Sequence, residues 1–247
     1  MDWSNFIPMV KKKYQAFNFK QFSIHQENAA MKIGTDGILL GAWADTFNSN
    51  YIIDIGTGTC VIALMQCQKN TSALVDAVEI SREACIDAKQ NIKNSPWKDR
   101  IILHESSIQK LISNKKYDHI ISNPPFFVNS LNPEDNERKK ARHTTHLSYV
   151  DILGFATKNL SNKGKVSLIL PIEDGEKCIL ISNKFELWVS RKCYVKPKPH
   201  KKPHRLLLEF TNEKTKVLAN NLVIENKERH DYTEEYKAIT KDFYTIF

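Results

Sequence analysis

The run Tyr51–Ile52–Ile53–Asp54–Ile55 leads directly into Gly56–Thr57–Gly58–Thr59, and then into an apolar stretch from Cys60 to Gln68. No other segment restricts the fold as much. The short β-branched run reads as a buried strand, and the longer stretch behind it as a helix. A strand that passes into a helix through a tight glycine loop is the opening unit of a doubly wound α/β sheet. Such a loop stands at the carboxyl edge of the sheet, where open α/β folds bind ligands. Its glycines let the backbone come close to a ligand, and the helix N-terminus behind them favours polar groups. A dinucleotide fingerprint requires a third glycine where this chain has Val61, so the loop departs from that pattern.

The same alternation continues along the chain. Leu74 to Ile80 reads as a strand closing on Glu79, Arg82 to Asn94 as a helix ended by Pro96, and Arg100 to Glu105 as a strand followed by Ser106–Ser107. Tyr117 to Ser122 is the next strand, then Leu147 to Leu160 a helix, Lys165 to Leu170 a strand and Asp174 to Asn183 a helix. Phe185 to Tyr194 and Leu206 to Phe210 form a closing antiparallel pair, and the polar tail from Asn220 carries a docking helix. Ahead of this series, Phe17 to Phe22 is a small strand or hairpin. Gln26 to Met31 is helical up to Gly34, and Thr35–Asp36–Gly37 is a turn or N-cap before a helix from Ile38 to Trp43. The expectation is a mostly parallel, doubly wound sheet of about seven strands with an antiparallel closing strand and right-handed crossovers. Residues 1–247 make one domain, with a covering extension over about 1–45 and a mobile loop over about 127–146, where periodicity vanishes. The first strand of the series and the strand ending at Ser122 flank the switch point.

That last strand runs into Asn123–Pro124–Pro125–Phe126. Two adjacent prolines donate no N–H and hold the chain extended, so their carbonyls and the Asn123 side-chain oxygen can face one cleft. These are acceptors suited to an NH2 group on a flat ring, and Phe126 offers a face for the ring to stack on. A plain Pro-Pro turn after a strand fits the same four residues. Glu79, about 20 residues beyond the glycine loop at the neighbouring strand's tip, can accept both hydroxyls of a ribose.

Charge bears on the partner. The formal net charge is +8, and the basic residues cluster on irregular segments: Lys11–Lys12–Lys13, Arg138–Lys139–Lys140 with Arg142, and Lys196, Lys198, Lys201, Lys202 and Arg205. Three cationic loops predict a polyanion footprint. No apolar run is long enough to span a bilayer, and no signal peptide is visible at Met1–Asp2–Trp3–Ser4. Five cysteines without a Cys-x-x-Cys pair predict a reduced, cytoplasmic protein. His143 and His146 have a metal-like spacing but no cysteine or carboxylate partner, so no metal is expected.

Asp54-x-Gly56-x-Gly58, Glu79 and Asn123–Pro124–Pro125–Phe126, in this order, resemble the S-adenosylmethionine-dependent class I methyltransferases that act on exocyclic amino groups. The likeness extends to Gln21 through Gln26, Met31 through Gly37, Ala141–Arg142–His143 and Phe243–Tyr244. That full pattern resembles the bacterial methyltransferases that modify the adenine beside the anticodon, position 37, of a valine tRNA. The resemblance implies a Rossmann-like fold and S-adenosylmethionine as cofactor. It implies that Asp54, Gly56 and Gly58 hold the methionine end and that Glu79 with Ile80 holds the ribose. Thr35 and Asp36 would line the same pocket. Asn123 and the Pro124 carbonyl, with Pro125 and a stacking Phe126, would accept the adenine amino hydrogens. Lys139, Lys140, Arg142, Lys198, Lys201, Lys202 and Arg205 would contact the anticodon loop of a tRNA bound by a monomer. The chain departs from many relatives at Ser107, where an acid receives the cofactor's adenine amino group. Guanine or adenine in rRNA, adenine in DNA, a protein glutamine, or a non-catalytic RNA-binding role stand as alternatives.

Overall fold

The computed structural model describes residues 15–125 and 147–247. The chain enters through a two-stranded hairpin, β1 (Phe17–Asn18) and β2 (Ser23–Ile24), and then α1 (Thr35–Trp43). The main series follows as β3 (Tyr51–Ile55), α2 (Val61–Lys69), β4 (Leu74–Glu79), α3 (Arg82–Asn94), β5 (Ile101–Glu105) and β6 (Tyr117–Ser122). After the undescribed stretch come α4 (Tyr149–Asn159), β7 (Leu160–Pro171), α5 (Ile172–Ser182), β8 (Trp188–Lys196) and β9 (Arg205–Thr211). The chain closes with β10 (Leu218–Val223) and α6 (Glu234–Thr240).

Among the described residues, eight strands form one sheet in the order β10-β8-β9-β7-β6-β3-β4-β5. β9 runs antiparallel to both of its neighbours, and every other pair is parallel. β3 lies between β6 and β4, with Ile53 opposite Ile120 on one side and Asp76 on the other. The strand order therefore reverses at β3, and the crevice opens beyond its carboxyl end. Both faces of the sheet are covered, as a parallel sheet requires. Ile52 packs into a core with residues of α1, α2 and α3, whereas Ile53 and Ile55 pack into the other core with residues of α4. Among the described residues, no helix is long and apolar enough to cross a membrane.

The fold matches the doubly wound expectation with two corrections. The sheet has eight strands where seven were expected, because Leu218–Val223 pairs parallel to β8. The helix expected over Gln26 to Met31 does not form, since the backbone N–H groups of Asn28 and Ala29 donate to the Asp87 carboxylate instead of continuing a helical ladder. The expected docking helix of the tail is α6, which buries Tyr236 with Phe243 just beyond it.

Candidate active site

The carboxyl ends of β6, β3, β4 and β5 open onto a cavity of about 440 Å³. Moving along the sheet, its wall is Asn123 and Pro125, then Gly56 through Thr59, then Glu79 through Ser81, then Ser106 through Gln109. Residues 29–34 and Gly37 close it from outside. The glycine loop makes the turn the sequence implied. Gly56 has φ +72° and Gly58 +57°, and a Cβ on Gly56 would stand 2.8 Å from Leu147 Cδ2. A side chain there would be both strained and crowded.

Glu79 holds this loop in place. Its Oε2 accepts the Gly58 N–H at 2.8 Å and its Oε1 the Ser81 N–H at 2.7 Å. Each carboxylate oxygen has a further lone pair with which to accept a hydroxyl. Asp54 sits one layer below. It is fully buried and accepts from Thr57 Oγ1 at 2.5 Å and the Ala63 N–H at 3.2 Å. Burial pushes its carboxyl up to about 7. The bonds from Thr57 and Ala63 oppose that rise, and the nearby Glu79 charge adds to it. Its Oδ1 finds no hydrogen-bond partner among the described residues.

At the other end, Ser122 Oγ donates to the Ile55 carbonyl at 2.7 Å and ties the tip of β6 to β3. Asn123 is thereby held beside the glycine loop. Its Nδ2 lies 3.9 Å from where a Cβ of Gly37 would stand, so the missing side chain lets α1 approach it closely. Its Oδ1 is buried with no partner among the described residues. Asn123 lines the cavity, and an acceptor without a partner among the described residues is available to a donor on a ligand.

Residues 28–170 match the family model of the Methyltransferase small domain. A Parabacteroides distasonis protein named tRNA1(Val) (adenine(37)-N6)-methyltransferase is 44% identical over 231 residues, covering 92% of this chain and 97% of that one. A Histophilus somni protein of the same name is 40% identical over 242 residues, covering 97% and 100%. The chain belongs to the tRNA1(Val) (adenine(37)-N6)-methyltransferase family. Solved structures agree on the fold. A predicted O-methyltransferase from Agrobacterium tumefaciens superposes with a TM-score of 0.65 at 18% identity, covering 84% of this chain and 96% of that one. A methyltransferase from Pyrococcus furiosus gives 0.53 at 19%, covering 75% and 90%.

As in other class I methyltransferases, S-adenosylmethionine is the cofactor, and the cavity fits it. The close-approach glycine loop, an acid with lone pairs to spare and Asn123, whose Oδ1 has no partner among the described residues, line one continuous wall. Of the residues singled out from the sequence, Gly56, Gly58, Glu79, Ile80, Ser107, Asn123 and Pro125 come together there. Asp54 shapes the loop from beneath, and Pro124 is buried just outside the lining. Thr35 and Asp36 do not line the cavity. Thr35 is exposed, and the Asp36 carboxylate is engaged by Arg205 Nε at 2.8 Å, so Gly34 and Gly37 take their place. Arg205 thus fastens α1 to the start of β9. Lys198 donates to the Lys227 carbonyl at 2.7 Å, while Lys201 and Lys202 are exposed. Phe126, Lys139, Lys140, Arg142, His143 and His146 lie outside the described residues. Sequence reasoning included residues 29–34 only within a covering extension, without naming them as site residues, and missed Gln109. Gln109 stands two positions beyond Ser107, which was the available signal for it.

Proposed function

We infer that this chain transfers the methyl group of S-adenosylmethionine to the exocyclic amino group of adenine 37 in a valine tRNA. The observation that carries the reading is the buried Asn123 oxygen without a partner among the described residues, set in the wall of a cofactor-sized cavity beside the glycine loop. When bound, S-adenosylmethionine supplies an electrophilic sulfonium methyl group. The chain's own residues prepare the other reactant. An adenine amino nitrogen is a poor nucleophile because its lone pair is delocalised into the ring. Asn123 Oδ1 accepts one amino hydrogen and the Pro124 carbonyl the other, which favours a pyramidal nitrogen with a localised lone pair. The stiff Asn–Pro–Pro backbone fixes both acceptors before the substrate arrives, so the gain is mostly positioning with polar preorganisation added. Phe126 stacks on the purine. The methylated nitrogen then sheds its extra proton without a strong base.

Glu79 holds the cofactor ribose, with Ile80 beside it, and Gly56 and Gly58 let the methionine end lie against the backbone. Ser107 takes the position of the usual acid and accepts the cofactor's adenine amino group with less charge, and Gln109 is placed to share that role. The Lys201–Lys202 loop, together with Lys139, Lys140 and Arg142, meets phosphates of the anticodon loop. The enzyme is a cytoplasmic, single-domain monomer in this reading. Mass spectrometry of modified nucleosides tests it, in valine tRNA from cells with and without the protein. N6-methyladenine at position 37 should vanish when the protein is removed, and its persistence would refute the assignment.

A further inference from the structure

Residues 29–34 wall the cavity, yet this strap has no helix or strand of its own. Its base, residues 25–29, is held instead by two buried side chains on α3 that nothing in the catalytic mechanism uses. Asp87, 3% exposed, accepts the N–H groups of Asn28 at 2.9 Å and Ala29 at 2.7 Å on one oxygen, and the Asn28 side-chain amide at 2.8 Å on the other. Asn91 lies one helical turn on. Its Oδ1 accepts the His25 N–H at 2.7 Å, and its Nδ2 donates to the His25 carbonyl at 2.8 Å and to the Thr59 carbonyl at 3.0 Å. Asn91 therefore holds the base of the strap and the glycine loop at once. The far end is closed within the strap, where Gln26 Oε1 accepts the Ile33 N–H at 2.8 Å and Lys32 Nζ donates to the Ala29 carbonyl at 2.9 Å.

A buried carboxylate is expensive unless it is fully hydrogen-bonded, and Asp87 spends both oxygens on this one segment. The strap and the glycine loop both wall the same cavity, and α3 is an element to which both are fastened. We propose that Asp87 and Asn91 are positioning residues for S-adenosylmethionine, holding the strap at the spacing from the glycine loop that the cofactor requires. This rests on the cavity being the cofactor site. A strap released from α3 would have to be ordered by each binding event, which lowers affinity without touching the reacting atoms.

Asp87→Asn keeps the volume of the side chain and replaces one acceptor oxygen with a donor, so it is the variant of choice. Calorimetric titration with S-adenosylhomocysteine should show Kd raised about tenfold or more, the scale of removing one hydrogen bond to a charged group. Amide hydrogen exchange should quicken at Asn28 and Ala29 while β3 and β6 stay protected. In turnover, KM for S-adenosylmethionine should rise far more than kcat falls, a split that general destabilisation would not produce. Asn28→Ala, at an exposed residue, removes one of the three bonds and should give a smaller shift in the same direction if Asp87→Asn does not fold. A wild-type Kd in a folded variant, with or without faster exchange, would overturn the proposal. Failure of the unmodified protein to bind S-adenosylhomocysteine would overturn instead the reading of the cavity on which it rests.

Discussion

Glu79→Ala should remove both an observed loop anchor and the proposed ribose acceptor, and the two effects can be separated. In the protein alone, the carboxylate accepts the Gly58 and Ser81 N–H groups at 2.8 and 2.7 Å, so its removal frees the glycine loop and the entry to α3. In the proposed complex, the same oxygens would accept the ribose hydroxyls. Hydrogen bonds to a charged group contribute about 1.5–3 kcal/mol, so without the bonds to the diol Kd for S-adenosylmethionine should rise about 10- to 100-fold. Loss of the Gly58 anchor adds to that effect, although the bonds from the Gly56 and Thr57 N–H groups to the Val78 carbonyl and from Asn91 Nδ2 to the Thr59 carbonyl keep the rest of the turn in place. Glu79→Gln retains one carbonyl oxygen but turns an NH2 toward one of the two amides, and should fall between alanine and the native residue. The assay is calorimetry on all three proteins, with thermal unfolding measured beside it. Lower thermal stability together with unchanged cofactor affinity would show that Glu79 only anchors the loop, and would refute its role toward the ribose.

Two further outcomes follow from groups outside the cofactor pocket. His119 is fully buried on β6, with Nε2 2.8 Å from Ser167 Oγ on β7, and burial, aided by the Lys165 and Lys69 charges, lowers its pKa from 6.5 to about 3. The unfolded chain takes up a proton there below 6.5 and the folded chain does not, so this contribution is complete above that pH and lost as pH falls toward 3. His119→Gln should therefore gain about 2 kcal/mol relative to the native protein between about pH 7.5 and about pH 5 in urea unfolding; parallel pH profiles would contradict the assigned shift. For the basic loop, neutralising Lys201 and Lys202 should flatten the slope of log affinity for tRNA against log salt by about 0.7–0.9 for each phosphate that the loop neutralises. An unchanged slope would remove that loop from the RNA interface.

The strands around the site were legible because each is a short apolar run ending in a residue with distinct chemistry: Gly56, Glu79, Ser106–Ser107 and Asn123. A sheet buried on both faces leaves that pattern in the local sequence. β10 left none. Leu-Ala-Asn-Asn-Leu-Val carries two polar residues in its middle because the strand lies at the sheet edge, with its first four residues exposed, and its pairing to β8 depends on a partner some 27 positions earlier. The strap failed differently. Gln26 to Met31 has helix-forming composition, but its N–H groups go to Asp87, a side chain 58 and 59 positions away. Asp36 was placed in the pocket by its position in a motif, whereas its carboxylate meets Arg205 across 169 positions. What sequence concealed in each case was a long-range polar interaction, which no local period records.

Asn123 bears most directly on the central claim, that its buried oxygen, without a partner among the described residues, accepts an amino hydrogen of the target adenine. Asn123→Ala removes that acceptor and leaves the glycine loop and Glu79 in place. Single-turnover methyl transfer to unmodified valine tRNA, with cofactor and tRNA binding measured in parallel, isolates the chemical step. The expected result is a rate lowered about 10²-fold or more with far smaller changes in either affinity, and partial recovery in Asn123→Asp, where a carboxylate still accepts. Alanine at 123 turning over at the native rate would contradict the account.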